Sequence, residues 1–253
     1  MRIFALSDIH VDFRVNADWI AGMSQADYRE DVLILAGDVA PTLALLDWCM
    51  SRLAARFKTV LFVPGNHDLY MIDEDEEKTS IDKFSDLLSV VESSGASMQP
   101  FRKGGLSIVP LLGWYDYSFG EPSEELRAAW MDYRACRWPP HLGIKEIAEH
   151  FAALNATSVA AEGDMVITFS HFLPRIDVMP RSVPDEVRIL FPVLGTTLLE
   201  QQLRRLGSRL HVYGHSHLNR KVDIDGVSYI NNAFGYPYET RIAAKRLLCI
   251  HEV

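Results

Sequence analysis

Residues that commonly bind metal ions recur at one kind of position in this sequence, directly after a short apolar run. The first run is followed by Asp8-Ile9-His10 and the second by Gly37-Asp38. Three later runs end in the same manner, with Gly65-Asn66-His67-Asp68, Ser170-His171 and Gly214-His215-Ser216-His217. Imidazole, carboxylate and amide ligands without thiolate suit manganese, iron or zinc better than copper or an iron–sulfur cluster. Together these motifs indicate a metal site.

The number of these residues matches two metal ions. If Asp38 bridges them, one metal has the ligands Asp8, His10, Asp38 and His217, and the other has Asp38, Asn66, His171 and His215. Each ion would then have four protein contacts and open positions for water and substrate. We expect divalent or trivalent ions, with manganese as the first candidate and iron or zinc as alternatives. Each motif alone is a weak signal, because Gly-Asp is a common turn and a single histidine is more often a core or surface residue.

The apolar runs have the composition of buried strands that end in loops. They cover Ile3–Leu6, Val32–Leu35, Val60–Val63, Ile108–Leu112, Met165–Phe169 and Leu210–Tyr213. Stretches with helical spacing lie between them, at Leu43–Phe57, Ile81–Val91, Ile144–Ala161 and Thr196–Leu206. This alternation predicts an α/β layered fold. Because ligands bind beyond the carboxyl ends of strands in such sheets, the five motifs are expected to converge there. We expect the glycines before Asp38, Asn66 and His215 to permit backbone shapes that a bulkier residue resists.

The pattern changes after Tyr213. Lys221–Ile224 and Val227–Ile230 flank Asp225-Gly226, which is a strong hairpin signal. With a further strand predicted over Arg246–Ile250, the second half is expected to build antiparallel sheet against the first.

Three other stretches have a distinctive composition. Residues 114–141 are rich in aromatic side chains and fit either a cap over a site or ordinary core. Residues 173–194 carry several prolines and arginines and suit a loop near a ligand. The acidic run Asp73–Glu77 is typical of a solvated loop or helix start.

Length and composition exclude several classes of protein. The chain has 253 residues, 48% of them hydrophobic and 10% aromatic, which is too apolar for a disordered chain and enough for one large core. No apolar stretch approaches the roughly 20 residues of a membrane span. The net charge of −9 argues against nucleic acid as a partner, since duplex binding depends on Lys and Arg. Three separated cysteines and a first apolar run interrupted by Asp8 favour a reducing, cytoplasmic location without a secretory leader.

In this order, the five motifs resemble the calcineurin-like metallophosphoesterase family across nearly the whole chain. The resemblance implies two β-sheets packed face to face with helices outside, in a single domain covering residues 1–253. It also implies the two-metal arrangement given above, with Asp38 as the bridge. His67, the motif histidine outside both ligand sets, is implied to lie beside the substrate phosphate.

The chemistry expected of such a site is hydrolysis of a phosphoester. Two metals hold a shared hydroxide, which attacks phosphorus in line, and they stabilise charge on the phosphoryl oxygens. An unligated His67 can protonate the leaving oxygen. We therefore expect Asp38 and His67 to be catalytic, and Asn66, His67 and Arg175 to contact the substrate. Arg175 is included because its guanidinium suits a two-point grip on phosphate. Asp68 fits a buttress of the site or a plain structural residue.

Departures from one branch of the family bear on the substrate. Protein Ser/Thr phosphatases extend the second motif to Gly-Asp-x-x-Asp-Arg-Gly and follow Asn-His with Glu. Here Gly37-Asp38 leads to Val39-Ala40-Pro41-Thr42, and Asn66-His67 leads to Asp68. These departures argue against a phosphoprotein substrate, and the resemblance to the general Asn-His-Asp branch implies a small phosphodiester or phosphomonoester, with the diester slightly favoured. A phosphoprotein substrate, a nuclease activity and a metal-binding scaffold without turnover remain the alternatives.

Overall fold

Two mixed β-sheets form the centre of the protein. The structure is a computed structural model that describes residues 1–72, 76–158 and 163–253. The first sheet has the order β10-β1-β2-β3, from strands Leu248–Glu252, Arg2–Leu6, Val32–Ala36 and Thr59–Val63. The second has the order β4-β5-β6-β7-β9-β8, from strands Phe101–Lys103, Leu106–Pro110, Met165–Phe169, Leu210–Tyr213, Val227–Asn231 and Arg220–Ile224.

Alternate residues of the strands divide the core into layers. In β1, Ile3 and Ala5 pack between the two sheets with Ile167 and Phe169 of β6, while Phe4 and Leu6 belong to the core under the helices. This division follows from the period of two in a strand, where successive side chains point to opposite faces. Because both faces are covered, the central strands are apolar throughout, as they are in parallel sheets with helices on both sides.

Helices lie outside the two sheets, on their outer faces or in the loops between strands. They are α1 to α8, at Arg14–Ala21, Leu43–Ala54, Ser80–Ser93, Glu124–Ala129, Asp132–Ala135, Ile144–Leu154, Asp185–Arg188 and Thr197–Arg205. Several begin at a side-chain cap; the Thr79 hydroxyl accepts from the Asp82 backbone N–H while the Asp82 carboxylate accepts from Thr79. No helix in the described ranges is long and apolar enough to cross a membrane.

The α/β fold class with two packed sheets is confirmed, and most predicted elements lie where the sequence placed them. The predicted helix Ile144–Ala161 ends at Leu154, and its residue 161 lies outside the described ranges, as do residues 73–75 of the acidic run. The expected antiparallel second half is partly wrong. β9 pairs parallel to β7, and β10 joins the first sheet, antiparallel to β1. Only β4 and β8 are antiparallel to their neighbours in the second sheet, among the described strands.

Candidate metal centre

The five predicted motifs meet at the carboxyl ends of five strands. The loops after β1, β2 and β3 of the first sheet face the loops after β6 and β7 of the second. Five non-glycine residues of these loops have left-handed φ angles between 45° and 64°, namely Asp8, His10, Asp38, His215 and His217. Non-glycine residues rarely adopt this conformation, and it is concentrated at functional sites. The loops therefore turn their polar side chains inward at a cost in backbone strain.

These side chains form two groups that share one carboxylate. Ligand atoms of Asp8, His10, Asp38 and His217 lie within 4.8 Å of one another, and so do those of Asp38, His171 and His215. Asn66 joins the second group, because its Oδ1 lies 3.1 Å from His171 Nε2. All seven residues are buried. Their grouping coincides with the two ligand sets predicted from the sequence, with Asp38 in both.

Hydrogen bonds orient three of the four histidines. His171 Nδ1 donates to the Ala36 carbonyl at 2.9 Å, His215 Nε2 to the Val193 carbonyl at 3.1 Å, and His217 Nδ1 to Glu239 Oε2 at 2.6 Å. In each ring the other nitrogen faces the cluster. His171 Nε2 lies 3.1 Å from His215 Nδ1, and His217 Nε2 lies 3.2 Å from His10 Nε2.

Such convergence of ring nitrogens fits a metal ion, because lone pairs that face one another are satisfied by a shared cation. In metal-ligating histidines the ring nitrogen that faces away from the metal typically donates to a backbone carbonyl or a carboxylate, as it does in these three rings. Burial lowers the pKa of His171 to about 3 and that of His215 to about 4, so both rings are neutral and have a lone pair available.

The charges of the cluster also favour a cation. Burial and the neighbouring charges of Asp8 and Asp68 raise the pKa of Asp38 well above its ordinary value. Burial lowers the pKa of His217, but Asp8 and Glu239 outweigh that effect and raise it to about 10. The buried carboxylates of Asp8 and Asp38 therefore favour a bound cation. The donor set of nitrogen and oxygen atoms suits manganese, iron or zinc.

Asp68 supports the site from behind. Its carboxylate accepts four backbone N–H bonds, from Asp38, Val39, Ala40 and Gly65, at 2.8 to 3.0 Å. These bonds connect the loop after β2 to the loop after β3. Asp68 belongs to neither ligand group, so its position fits the buttress expected from the sequence.

Two of the glycines are required by this close packing of loops. Gly37 has a φ of 84°, and a Cβ there would lie 2.8 Å from the Gly65 nitrogen. A Cβ at Gly65 would overlap Asp38 Oδ1. At Gly65 the requirement is therefore space next to Asp38 and not backbone freedom, since its φ is not in the left-handed region.

His67 stands at the entrance of the cluster, outside both groups. Its Nε2 lies 3.9 Å from Asp38 Oδ2 and 3.4 Å from the Tyr236 hydroxyl, and 23% of its side chain is exposed. The ring packs against Tyr70 at a centroid distance of 4.4 Å. Burial and the neighbouring histidines lower the pKa of His67 to about 3, so the ring is neutral in the free site.

A cavity of about 370 Å³ opens on the cluster beside His67. Apolar and aromatic side chains supply much of its wall, including Tyr70, Trp130, Met131, Leu190 and Tyr236. No lysine or arginine is among the described residues that line it. The aromatic stretch 114–141 thus contributes Trp130 and Met131 to the cavity, and other members such as Trp114 and Tyr115 are buried in the core.

The structure places Arg175, the predicted phosphate contact, away from the cavity. The Arg175 guanidinium forms hydrogen bonds to Asp177 at 2.6 Å, Glu200 at 3.2 Å and Asp225 at 3.1 Å, and it does not line the cavity. Although Arg175 follows His171 closely in sequence, its side chain extends toward α8 and the β8–β9 turn.

Sequence reasoning missed the residues that hold the candidate ligands in place. Glu239 supports His217, and Asp132 accepts a hydrogen bond from Asn66 Nδ2 at 2.8 Å. Tyr236 stacks on His10 at a centroid distance of 4.5 Å. None follows a strand end within a recognisable motif, so only their position in the fold identifies them.

The chain belongs to the calcineurin-like phosphoesterase family, whose model matches residues 1–219. It is therefore a hydrolase of the metallophosphoesterase class, and the family uses divalent metal ions.

One protein of this family, PptH of Mycobacterium tuberculosis, is similar to the chain in both sequence and structure. The chain is 25% identical to the [acyl-carrier-protein] phosphodiesterase PptH of Mycobacterium tuberculosis, over 94% of this chain and 79% of that protein. The crystal structure of the phosphopantetheinyl hydrolase PptH from Mycobacterium tuberculosis matches with a TM-score of 0.81 at 24% identity, covering 97% of this chain and 94% of that one. This match establishes a shared fold.

Proposed function

We propose that this protein is a binuclear metal-dependent phosphodiesterase that removes a phosphopantetheine arm from a carrier protein. The observation that carries the proposal is the cavity, which joins the metal cluster directly and has an apolar, aromatic wall without Lys or Arg among its described residues. A phosphodiester carries one negative charge, whereas a monoester carries up to two near neutral pH. A cavity without cationic side chains therefore suits the diester, and its apolar wall suits a long arm of low charge.

The name of the relative PptH supports the same substrate class, since that protein is a phosphodiesterase of acyl carrier protein. The arm of such a carrier is joined to a serine through a phosphodiester. Water adds to phosphorus, the bond between phosphorus and the serine oxygen breaks, and the products are phosphopantetheine and the carrier with a free hydroxyl.

Two metal ions would be held by the two ligand groups, with Asp38 shared, and they would supply activation of water and stabilisation of phosphoryl charge. The protein contributes the buried carboxylates and oriented imidazoles that fix the positions of the ions. Manganese remains the first candidate metal, with iron and zinc as alternatives, and a cytoplasmic location remains a prediction.

His67 is assigned the proton transfer to the leaving oxygen. It is the histidine of the motifs that lies outside both groups and reaches the cavity. Its pKa of about 3 in the free site rises when a phosphate anion binds beside it, because negative charge favours the imidazolium. The Tyr236 hydroxyl, 3.4 Å from His67 Nε2, keeps the ring directed at this end of the cavity.

The experiment compares two carrier proteins and two chromogenic esters with the manganese-loaded enzyme. We expect release of phosphopantetheine from the phosphopantetheinylated carrier, detected by the mass of the intact carrier. We also expect bis(p-nitrophenyl) phosphate to be hydrolysed faster than p-nitrophenyl phosphate. A carrier phosphorylated on the same serine, a monoester, is the matched control and should react more slowly. Preference for that phosphoserine carrier would contradict the proposal and favour a phosphoprotein phosphatase.

A further inference from the structure

We propose that Asp132 is a positioning residue that sets the orientation of the Asn66 side-chain amide and so completes the second ligand group. Asn66 Nδ2 donates to Asp132 Oδ1 at 2.8 Å. Since the other end of the same amide is Oδ1, this bond turns Oδ1 toward His171 Nε2, 3.1 Å away. An amide turned by half a rotation would direct its N–H groups at the cluster, and a donor cannot ligate a cation.

Asp132 is well placed to hold the amide firmly. It is the first residue of α5, is 2% exposed and accepts three hydrogen bonds, with the bond from Asn66 included. These contacts come from the Asn66 amide, from the Tyr70 hydroxyl at 2.8 Å on Oδ1, and from Trp130 Nε1 at 2.8 Å on Oδ2. A carboxylate with donors on both oxygens cannot rotate without losing a hydrogen bond.

The aromatic stretch 114–141 lines the cavity and also supplies the carboxylate that orients Asn66. Asn66 follows β3, and Asp132 arrives from this stretch, 66 positions later in the chain. Tyr70 and Trp130, which donate to Asp132, are themselves walls of the cavity. The Asp132 carboxylate therefore links Asn66 to two residues of the cavity wall through hydrogen bonds. The inference rests on the proposed binuclear centre.

The test measures manganese binding to the metal-free protein by titration calorimetry, so that it does not depend on turnover. Asp132→Ala should weaken one of the two manganese sites by about 10- to 100-fold, the range seen when a partner of a metal ligand is removed, and leave the other unchanged. Asp31→Ala is the matched control, since it removes a buried carboxylate outside the cluster, and both manganese affinities should stay as in the unmodified protein.

A reciprocal exchange separates positioning from general stability. Asp132→Asn alone should weaken the same site. Its amide N–H faces either the Asn66 amide, whose oxygen then turns away from the cluster, or Trp130 Nε1, where two opposed donors loosen the group that holds Asn66. Adding Asn66→Asp restores a donor and acceptor pair in the reverse direction and keeps an oxygen facing the cluster, so the affinity should recover. If the single variants lower the melting temperature while both affinities persist, or if the exchange restores nothing, Asp132 is only structural. An unmodified protein that binds fewer than two manganese ions would instead contradict the proposed function, and the inference with it.

Discussion

Glu239 Oε2 accepts a hydrogen bond from His217 Nδ1 at 2.6 Å, and the opposite nitrogen of the same ring lies 3.3 Å from Asp8 Oδ1. The Tyr236 backbone N–H donates to the same Glu239 oxygen at 2.7 Å, which fixes the carboxylate in turn. A residue 22 positions beyond the last motif therefore determines which nitrogen of His217 faces the cluster.

Glu239→Gln should weaken manganese binding. The substitution keeps the shape of the side chain but removes the charge that makes His217 a stronger ligand, so we expect a loss of about 10- to 100-fold in affinity. Titration calorimetry of the metal-free variant measures it. Glu200→Gln is the matched control, since Glu200 is buried to a similar degree, with a side chain 19% exposed against 17% for Glu239, but belongs to the Arg175 cluster. Equal losses in the two variants would contradict the role given to Glu239.

Asp38→Ala should abolish tight binding of both metals, because Asp38 belongs to both ligand groups. Metal analysis after dialysis should find less than one manganese ion per chain, compared with two in the unmodified protein. Asp31→Ala removes another buried carboxylate, outside the site, and should retain both ions. A variant lacking Asp38 that still holds two metals would exclude the bridging assignment.

His67→Ala should keep its metals and lose activity in a manner that depends on the leaving group. For an alkyl ester such as the carrier serine, kcat should fall by about 10²- to 10⁴-fold, the usual contribution of a general acid. For bis(p-nitrophenyl) phosphate the loss should be much smaller, because nitrophenolate leaves without a proton. The exposed His141→Ala serves as the control for loss of an imidazole. Equal losses for both esters would assign His67 to substrate binding instead.

Arg175→Ala should leave kcat/KM unchanged, since the guanidinium is engaged with Asp177, Glu200 and Asp225 away from the cavity. Stability should decline by about 1 to 3 kcal/mol, since hydrogen bonds to charged groups are lost and the side chains of Arg175 and Glu200 are only 21% and 19% exposed. Kinetics with the diester and urea unfolding measure the two effects. A large rise in KM with unchanged stability would restore Arg175 as a phosphate contact.

Asp31 should make stability depend on pH in the acid range. Burial raises the pKa of Asp31, but hydrogen bonds from Arg2 lower it by a larger amount. The pKa in the folded protein therefore lies below the unfolded value of about 3.9. The stabilisation is then complete above the unfolded pKa and is lost as pH falls through the folded pKa. Asp31→Asn should cost about 1.5 to 3 kcal/mol in urea unfolding at pH 7, and less at pH 3.

An exposed pair provides the control for that measurement. Asp18, 70% exposed and 3.7 Å from Arg14, should give a change well below that of Asp31 when replaced by Asn. A cost for Asp31→Asn that stays constant between pH 7 and pH 3 would show that packing, and not charge, is responsible.

The sequence by itself determined the strands and the metal-ligand types that follow them. Runs such as Val32–Ala36 are apolar at every position because both faces of the strand are covered, and this signal is local. The polar residues that follow each run can likewise be recognised from the local sequence. Since parallel strands end at one edge, the seven candidate ligand positions could be placed together from the sequence alone.

Only the tertiary structure decided which other residues act on that cluster. Asp132 and Glu239 reach Asn66 and His217 across 66 and 22 positions, and no spacing rule connects them. Arg175 is the opposite case, since it is close to His171 in sequence but does not line the cavity. Its side chain is held by carboxylates from α8 and the β8–β9 turn. Hydrogen-bond partners between separate elements depend on how those elements pack, and packing is set by contacts distant in sequence.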